Sequence, residues 1–123
     1  MALTVMTVDD SPTMRDMVSY TLKEAGYNVL EAEDGVQALS VLGQSKADIV
    51  ITDLNMPNMD GLTLIKSLRS NPSYKATPIL MLTTEADDAK KNAGREAGAT
   101  GWIVKPFNPE KLLSVLKRIA GNG

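Results

Sequence analysis

Five short apolar runs recur along the chain: Leu3 to Val8, Tyr27 to Ala32, Ile49 to Ile51, Ile79 to Leu82 and Trp102 to Val104. They are rich in Val, Ile and Leu and barely alternate with polar residues. Strands buried on both faces read this way, because a strand with one wet face alternates. Successive runs lie roughly 20 residues apart, too far for hairpins but suited to a right-handed crossover containing a helix. This rhythm predicts a parallel sheet with helices on both faces.

The intervening segments carry helical spacing. Met14, Met17, Val18, Thr21 and Leu22 share one face. Val36, Leu39 and Leu42 share another, as do Leu62, Ile65 and Leu68, and then Leu112, Val115, Leu116 and Ile119. Gly26 follows the first helix, Asp60 is placed to cap the third, and Asn108 is placed to cap the fifth with Pro109 at its first position. The segment Asp87 to Ala97 differs. Its apolar positions are Ala89, Ala93 and Ala97, and Gly94 lies inside it, which predicts a thinly packed, weakly held helix.

The expected architecture is five βα units in an α/β doubly wound sheet, with no repeat, low-complexity tract or linker. The 123 residues, 43% of them apolar, fit a single domain over 1–123 with one core. The ending Ala120-Gly121-Asn122-Gly123 stops with the last helix, so a stand-alone domain is expected.

Composition narrows the chemistry. There is no cysteine, which removes disulfides and thiolate catalysis, and no histidine, which removes the commonest general base and metal ligand. A net charge of −2, from 13 basic and 15 acidic residues, leaves no electrostatic footprint for nonspecific nucleic-acid binding. The start, Met1-Ala2-Leu3-Thr4-Val5, lacks the charged and apolar regions of a signal peptide, and no apolar stretch approaches the ~20 residues of a membrane span. The expectation is a soluble cytoplasmic protein with neither nucleic acid nor membrane as partner.

In doubly wound sheets ligands bind beyond the carboxyl ends of the strands. The first strand ends in Asp9-Asp10, the third in Asp53, the fourth in Thr83 and the fifth in Lys105-Pro106. Taken singly, each has an ordinary role: Asp or Thr as a helix cap or turn former, Lys as a solvated charge. Asp9 or Asp10, for example, could cap a helix starting near Pro12. Together they place three carboxylates, a hydroxyl and an ammonium on one sheet edge. Two like charges ~4 Å apart repel by ~4 kcal/mol at an effective dielectric near 20. One lysine does not offset three carboxylates, so a divalent cation is expected among them. The donors are all hard oxygens, which favours Mg²⁺, with Mn²⁺ or Ca²⁺ as alternatives; the closely spaced ligand run of a Ca²⁺ loop is absent. A carboxylate beside Mg²⁺ and Lys⁺ is poised to attack phosphorus.

Four motifs stand in order at these strand ends: Val8-Asp9-Asp10-Ser11, Asp53-Leu54-Asn55-Met56-Pro57-Asn58-Met59-Asp60-Gly61, Leu82-Thr83-Thr84 and Lys105-Pro106-Phe107. Over Val5 to Ala120 the chain resembles the receiver domain of two-component response regulators, and within it the single-domain chemotaxis regulators. The resemblance implies a flavodoxin-like sheet of order 2-1-3-4-5 with five helices. It implies that Asp53 accepts a phosphoryl group from a histidine kinase. Asp10 would ligate Mg²⁺ directly, Asp9 through water, and Asn55 through its backbone carbonyl, with Asp53 completing the metal site. Thr83 and Lys105 would contact the phosphoryl group. Trp102 would be the switch aromatic, where the family usually carries Tyr, Phe or His. Its bulk limits a full inward swing, and ordinary packing over the fourth helix is its other reading.

Further positions refine the resemblance. Asn55 and Glu85 flank the site as in the chemotaxis type. Thr84 is larger than the usual Ala or Gly, and the bond before Pro106 is cis in this family. Met56, Met59 and Met81 read as core filling rather than a binding surface. The implied activity is that of a switch, not an enzyme: Mg²⁺-dependent self-phosphorylation and slow autodephosphorylation at Asp53. Output would leave through the fourth helix, fifth strand and fifth helix toward a flagellar motor switch protein. Another output, or a phosphate sink in a phosphorelay, is the nearest alternative. A haloacid-dehalogenase-type phosphatase uses similar groups, but it needs a second Asp where Asn55 stands and usually a cap domain. A dinucleotide-binding module lacks its Gly-x-Gly-x-x-Gly here.

Overall fold

The computed structural model describes residues 3–84, 88–105 and 108–121. Its elements alternate: β1 (Thr4–Val8), α1 (Pro12–Glu24), β2 (Asn28–Ala32), α2 (Gly35–Gln44), β3 (Ile49–Asp53), α3 (Gly61–Arg69), β4 (Ile79–Thr84), α4 (Asp88–Ala97), β5 (Gly101–Lys105) and α5 (Pro109–Gly121). The strands form one parallel sheet of order β2-β1-β3-β4-β5, the flavodoxin-like order.

Alternate residues of each strand feed opposite cores. On one face Met6, Val50, Ile79 and Met81 meet Ala38 and Leu42 of α2, Leu64, Ile65 and Leu68 of α3, and Ala97 of α4. On the other, Val5, Ile51, Leu80, Leu82 and Ile103 meet Val18 and Leu22 of α1 and Leu112 and Leu116 of α5. Central β3 is buried throughout, as its unbroken apolar run requires. Edge strand β2 leaves Asn28 and Glu31 exposed. Met56 and Met81 are buried and Met59 packs against the core, so the methionines fill gaps.

Several local expectations need correction. Ser11, not Asp9 or Asp10, caps α1: its hydroxyl accepts from the Met14 N–H at 3.2 Å, with Pro12 at the first helical position. Asp34 caps α2, a signal overlooked in the sequence, and receives the side-chain amide of Asn58 at 2.8 Å. Both hydrogen bonds favour its carboxylate and hold its pKa below the usual range, the Gln37 N–H more than Asn58. Met17 and Val36, placed on core faces by spacing, are exposed; the inner face of α2 is Gly35, Ala38 and Leu42. Gly94 does more than weaken α4. It lies against Met81, and a Cβ there would meet the methionine sulfur, so the glycine lets α4 approach the sheet closely. The caps expected at Asp60 and Asn108 form, to the N–H groups of Thr63 and Lys111 at 2.8 and 3.1 Å. Glu85, Pro106 and Phe107 lie outside the described residues, and with them the cis bond expected before Pro106.

Candidate phosphoacceptor site

Parallel strands bring all their carboxyl ends to one edge. Pairing of Val8 with Thr52 sets the end of β1 beside Asp53, and Asp53 pairs with Leu82, one residue before Thr83. The edge of β5 reaches as far as Thr84, which pairs with Lys105.

Asp9 is 1% exposed. Its Oδ1 accepts from the Ser11 N–H at 2.9 Å, while its Oδ2 is buried with no hydrogen-bond partner among the described residues. Burial is the main force raising its pKa; the neighbouring charges of Asp53 and Asp10 add to the rise, and the Ser11 N–H and Lys105 oppose it. Asp10 is exposed and Asp53 buried. One carboxylate oxygen from each of Asp9, Asp10 and Asp53 lies within 4.8 Å of the others. The donor set consists of hard oxygens, and the buried Asp9 Oδ2 has no hydrogen-bond donor among the described residues. Both features fit an oxygen-seeking divalent cation.

Asp53 Oδ1 accepts from its neighbour's N–H, Leu54, at 2.8 Å and from Lys105 Nζ at 3.1 Å. Lys105 starts two strands away and reaches across β4. At about 4.8 Å between strands this distance suits a long flexible amine and excludes a short side chain. A small cavity of about 30 Å³ opens beside Asp53, lined also by Leu54, Asn55, Leu82, Thr83, Lys90 and Lys105. Gly61 holds the start of α3 against this edge: its N–H donates to Leu54 O at 3.0 Å, and a Cβ would meet the Asp53 carbonyl.

The strand-end residues expected at the site therefore come together. Trp102 stands apart from the acidic cluster, half-buried on β5 against the core face that carries α4. Lys91 Nζ and Arg95 Cζ lie 5.5 and 5.2 Å from its ring centroid. This is cation–π range. A hollow of about 140 Å³ beside it is lined by Ile103, Val104, Lys111 and Val115. Two contributions escaped sequence reasoning. Lys90 donates to Asn55 Oδ1 at 2.7 Å, and Lys91 with Arg95 brackets Trp102. The four-residue spacing of Lys91 and Arg95 was a usable signal for one shared face.

Comparison with known proteins agrees with this geometry. The family model described as the response regulator receiver domain matches residues 5–117. Chemotaxis protein CheY1 of Helicobacter pylori is 44% identical over 119 residues, covering 95% of this chain and 96% of that protein. The solved structure of the chemotaxis response regulator CheY4 of Vibrio cholerae superposes with a TM-score of 0.91 at 50% identity, covering 97% of this chain and 99% of that one. A more distant structure is the receiver domain of a sensor histidine kinase from Pseudomonas aeruginosa, described with a magnesium ion coordinated in its active-site cleft. It is 25% identical with a TM-score of 0.88, covering 96% of this chain and 97% of its own. CheY-like receiver domains are signalling switches, not classical enzymes. The chain belongs to the response regulator receiver domain family.

Proposed function

We propose that this protein is a cytoplasmic signalling switch that accepts a phosphoryl group on Asp53 from the phosphohistidine of a partner kinase. The observation that carries the reading is the setting of Asp53: buried, bonded to Lys105 at 3.1 Å, grouped with Asp9 and Asp10, and facing a cavity that Thr83 also lines. Asp9, Asp10, Asp53 and the Asn55 backbone carbonyl are the residues to hold Mg²⁺. When bound, the cation neutralises charge on the transferring phosphoryl oxygens.

A carboxylate oxygen of Asp53 attacks phosphorus, a P–O bond forms, and the P–N bond of phosphohistidine breaks with its electron pair leaving on imidazole. Lys105 holds the carboxylate in position and then follows the new negative charge. Thr83 offers its hydroxyl to a phosphoryl oxygen. The acyl phosphate brings added charge and three acceptor oxygens to the β4 end. The response travels to the face of α4, β5 and α5, with Trp102 as the aromatic that changes position. The names of the relatives favour chemotaxis, with a flagellar motor switch protein as the partner at that face. Asn55 stands where a haloacid-dehalogenase-type phosphatase places its general acid, which argues for a persistent adduct over turnover.

The test is intact mass after incubation with Mg²⁺ and acetyl phosphate or a phosphoramidate. The expected product is one base-labile phosphoryl group per chain, absent without Mg²⁺ and absent in Asp53→Asn. Repeated turnover of phosphomonoesters without an adduct would overturn the reading.

A further inference from the structure

The buried carboxylate of Asp34 divides its two oxygens between different partners. Oδ1 accepts from the Gln37 N–H at 2.8 Å and caps α2. Oδ2 accepts from the side-chain amide of Asn58 at 2.8 Å, in the loop between β3 and α3. An ionised carboxylate only accepts, so the Asn58 amide must point its donor this way. A second tie runs beside the first. The Gly35 N–H donates to the Met59 carbonyl at 3.1 Å, and a Cβ on Gly35 would meet the Met59 side chain. The start of α2 thus grips the loop at two successive residues.

That loop carries Asn55, whose backbone carbonyl belongs to the proposed cation site. Lys90 reaches the Asn55 side chain, but the direction of a carbonyl follows the backbone. Leu54 and Met56 are buried on either side, and the Gly61 N–H donates to the Leu54 carbonyl at 3.0 Å. These anchors hold positions along the loop, not the plane of the peptide between Asn55 and Met56. That plane depends on where the chain goes next. Pro57 has a fixed φ and confines Met56 before it to extended backbone. The remaining joint is Asn58. At a φ of 65° it alone among the described non-glycine residues adopts a positive φ, which side chains generally avoid. Its bond to Asp34 braces this joint.

Rigidity matters to the choice of ion. Mg²⁺ demands near-octahedral geometry at about 2.0–2.1 Å, whereas Ca²⁺ accepts looser shells at about 2.3–2.6 Å. An exposed carboxylate such as Asp10 can adjust to either. A carbonyl held in place discriminates between them.

Resting on the reading of Asn55 as a cation ligand, we infer that Asp34 is a positioning residue for the cation: through Asn58 it sets the Asn55 carbonyl, and so favours Mg²⁺ over Ca²⁺ at the cluster of Asp9, Asp10 and Asp53. It acts through the loop backbone rather than on the ion.

The experiment titrates the full, metal-free chain with Mg²⁺ and with Ca²⁺, read by amide NMR shifts. It compares wild type, Asp34→Ser, Asn58→Asp and the swap Asp34→Asn/Asn58→Asp. Serine still caps a helix but is too short to reach Asn58. Asn58→Asp sets two carboxylates against each other, in a residue type that tolerates the left-handed backbone. The swap rebuilds the bond in reverse and keeps the cap and net charge of wild type. Both single variants should weaken Mg²⁺ binding several-fold, below the ~10-fold of a directly bonded outer partner, and Ca²⁺ binding less. The swap should restore the wild-type ratio of the two affinities. That ratio is diagnostic because a changed charge nearby acts alike on two divalent ions, and geometry separates them. An unchanged ratio in the single variants overturns the inference, as does a lowered ratio that the swap fails to restore. Asn58→Asp and the swap decide the matter even where Asp34→Ser fails to fold. Mg²⁺ binding to wild type without a shift of the Met56 amide, which shares a peptide with the Asn55 carbonyl, instead sinks the reading of Asn55 as ligand and the inference with it. A wild-type chain that binds neither ion sinks the whole cation site.

Discussion

α3 and α4 pack on the same face of the sheet, each following a strand that supplies a site residue, yet they are held by different forces. α3 buries Gly61, Leu64, Ile65 and Leu68 and is capped by Asp60. Its last residue, Arg69, donates to the carbonyls of Gly98, Tyr74, Lys75 and Thr77 at 2.7–3.1 Å, and burial of this guanidinium lowers its pKa. Among the described residues α4 buries Gly94 and Ala97, and its cations add Lys90 on Asn55 and Lys91 with Arg95 on Trp102. A fully buried Leu or Ile stabilises by about 1.5–3 kcal/mol. Exposed polar and cation–π contacts each contribute about 1 kcal/mol or less. One helix is therefore held by a broad apolar face, and the other by a narrow one with polar and cation–π contacts beside it.

The largest effect expected from this contrast comes from the same substitution made in each helix. A Cβ at Gly61 meets the Asp53 carbonyl and the Leu54 backbone, which cannot yield. Gly61→Ala should destabilise by about 1–3 kcal/mol in denaturant titration. At Gly94 the obstacle is the far end of Met81, a flexible side chain though a fully buried one, and the helix gains propensity from alanine. Gly94→Ala should cost less than Gly61→Ala, because a side-chain end can shift where a backbone carbonyl cannot and alanine returns up to about 1 kcal/mol of helix propensity. Equal losses at both sites would erase the distinction between scaffold and movable helix.

A smaller effect separates the acidic edge from the capping acids. The Asp9 pKa is raised, so the folded state favours its protonated form. The Asp9 contribution to metal-free stability should fall as pH rises from below 3.8 through the raised value, and the penalty then stays constant. Asp9→Asn should accordingly be more stable than wild type near neutral pH without metal, with the gap closing below pH 3.8. Excess Mg²⁺ should reverse the order, since only wild type keeps the full ligand set. Asp34 has the opposite sign: its lowered pKa supports the fold above 3.8 and the support is lost on acidification. Thermal melts of wild type, Asp9→Asn and Asp34→Asn across pH, with and without Mg²⁺, check both signs. No Mg²⁺ response in wild type would remove the cation from the account.

Much of this was legible before the fold was seen, and the reason is local. β3 and β4 open with apolar runs, Ile49 to Ile51 and Ile79 to Leu82, because both their faces are covered, and a parallel sheet then carries Asp9, Asp10, Asp53, Thr83 and Lys105 to one edge. What periodicity misjudged were the flanks of helix faces. Val36 and Met17 satisfy the spacing yet are exposed: α2 makes its close contact through the smaller Gly35 and Ala38, and α1 buries Val18, Ser19, Thr21 and Leu22 instead. The spacing of Lys91 and Arg95 shows that they share a face, but not where that face or Lys90 points, because nothing in the local sequence fixes how far α4 is rotated about its axis. Gly94 against Met81 sets that rotation, and it is a tertiary contact.

The central claim is that charge placed on Asp53 reaches α4 and spares α3. Amide hydrogen exchange, with Mg²⁺ alone and with Mg²⁺ plus beryllofluoride, tests it directly, because local opening is what the method reads. The account predicts altered protection in α4 and β5, unchanged protection in α3, and no response anywhere in Asp53→Asn. Full occupancy of Asp53 with α4 unaltered, or with α3 responding as strongly as α4, would contradict it.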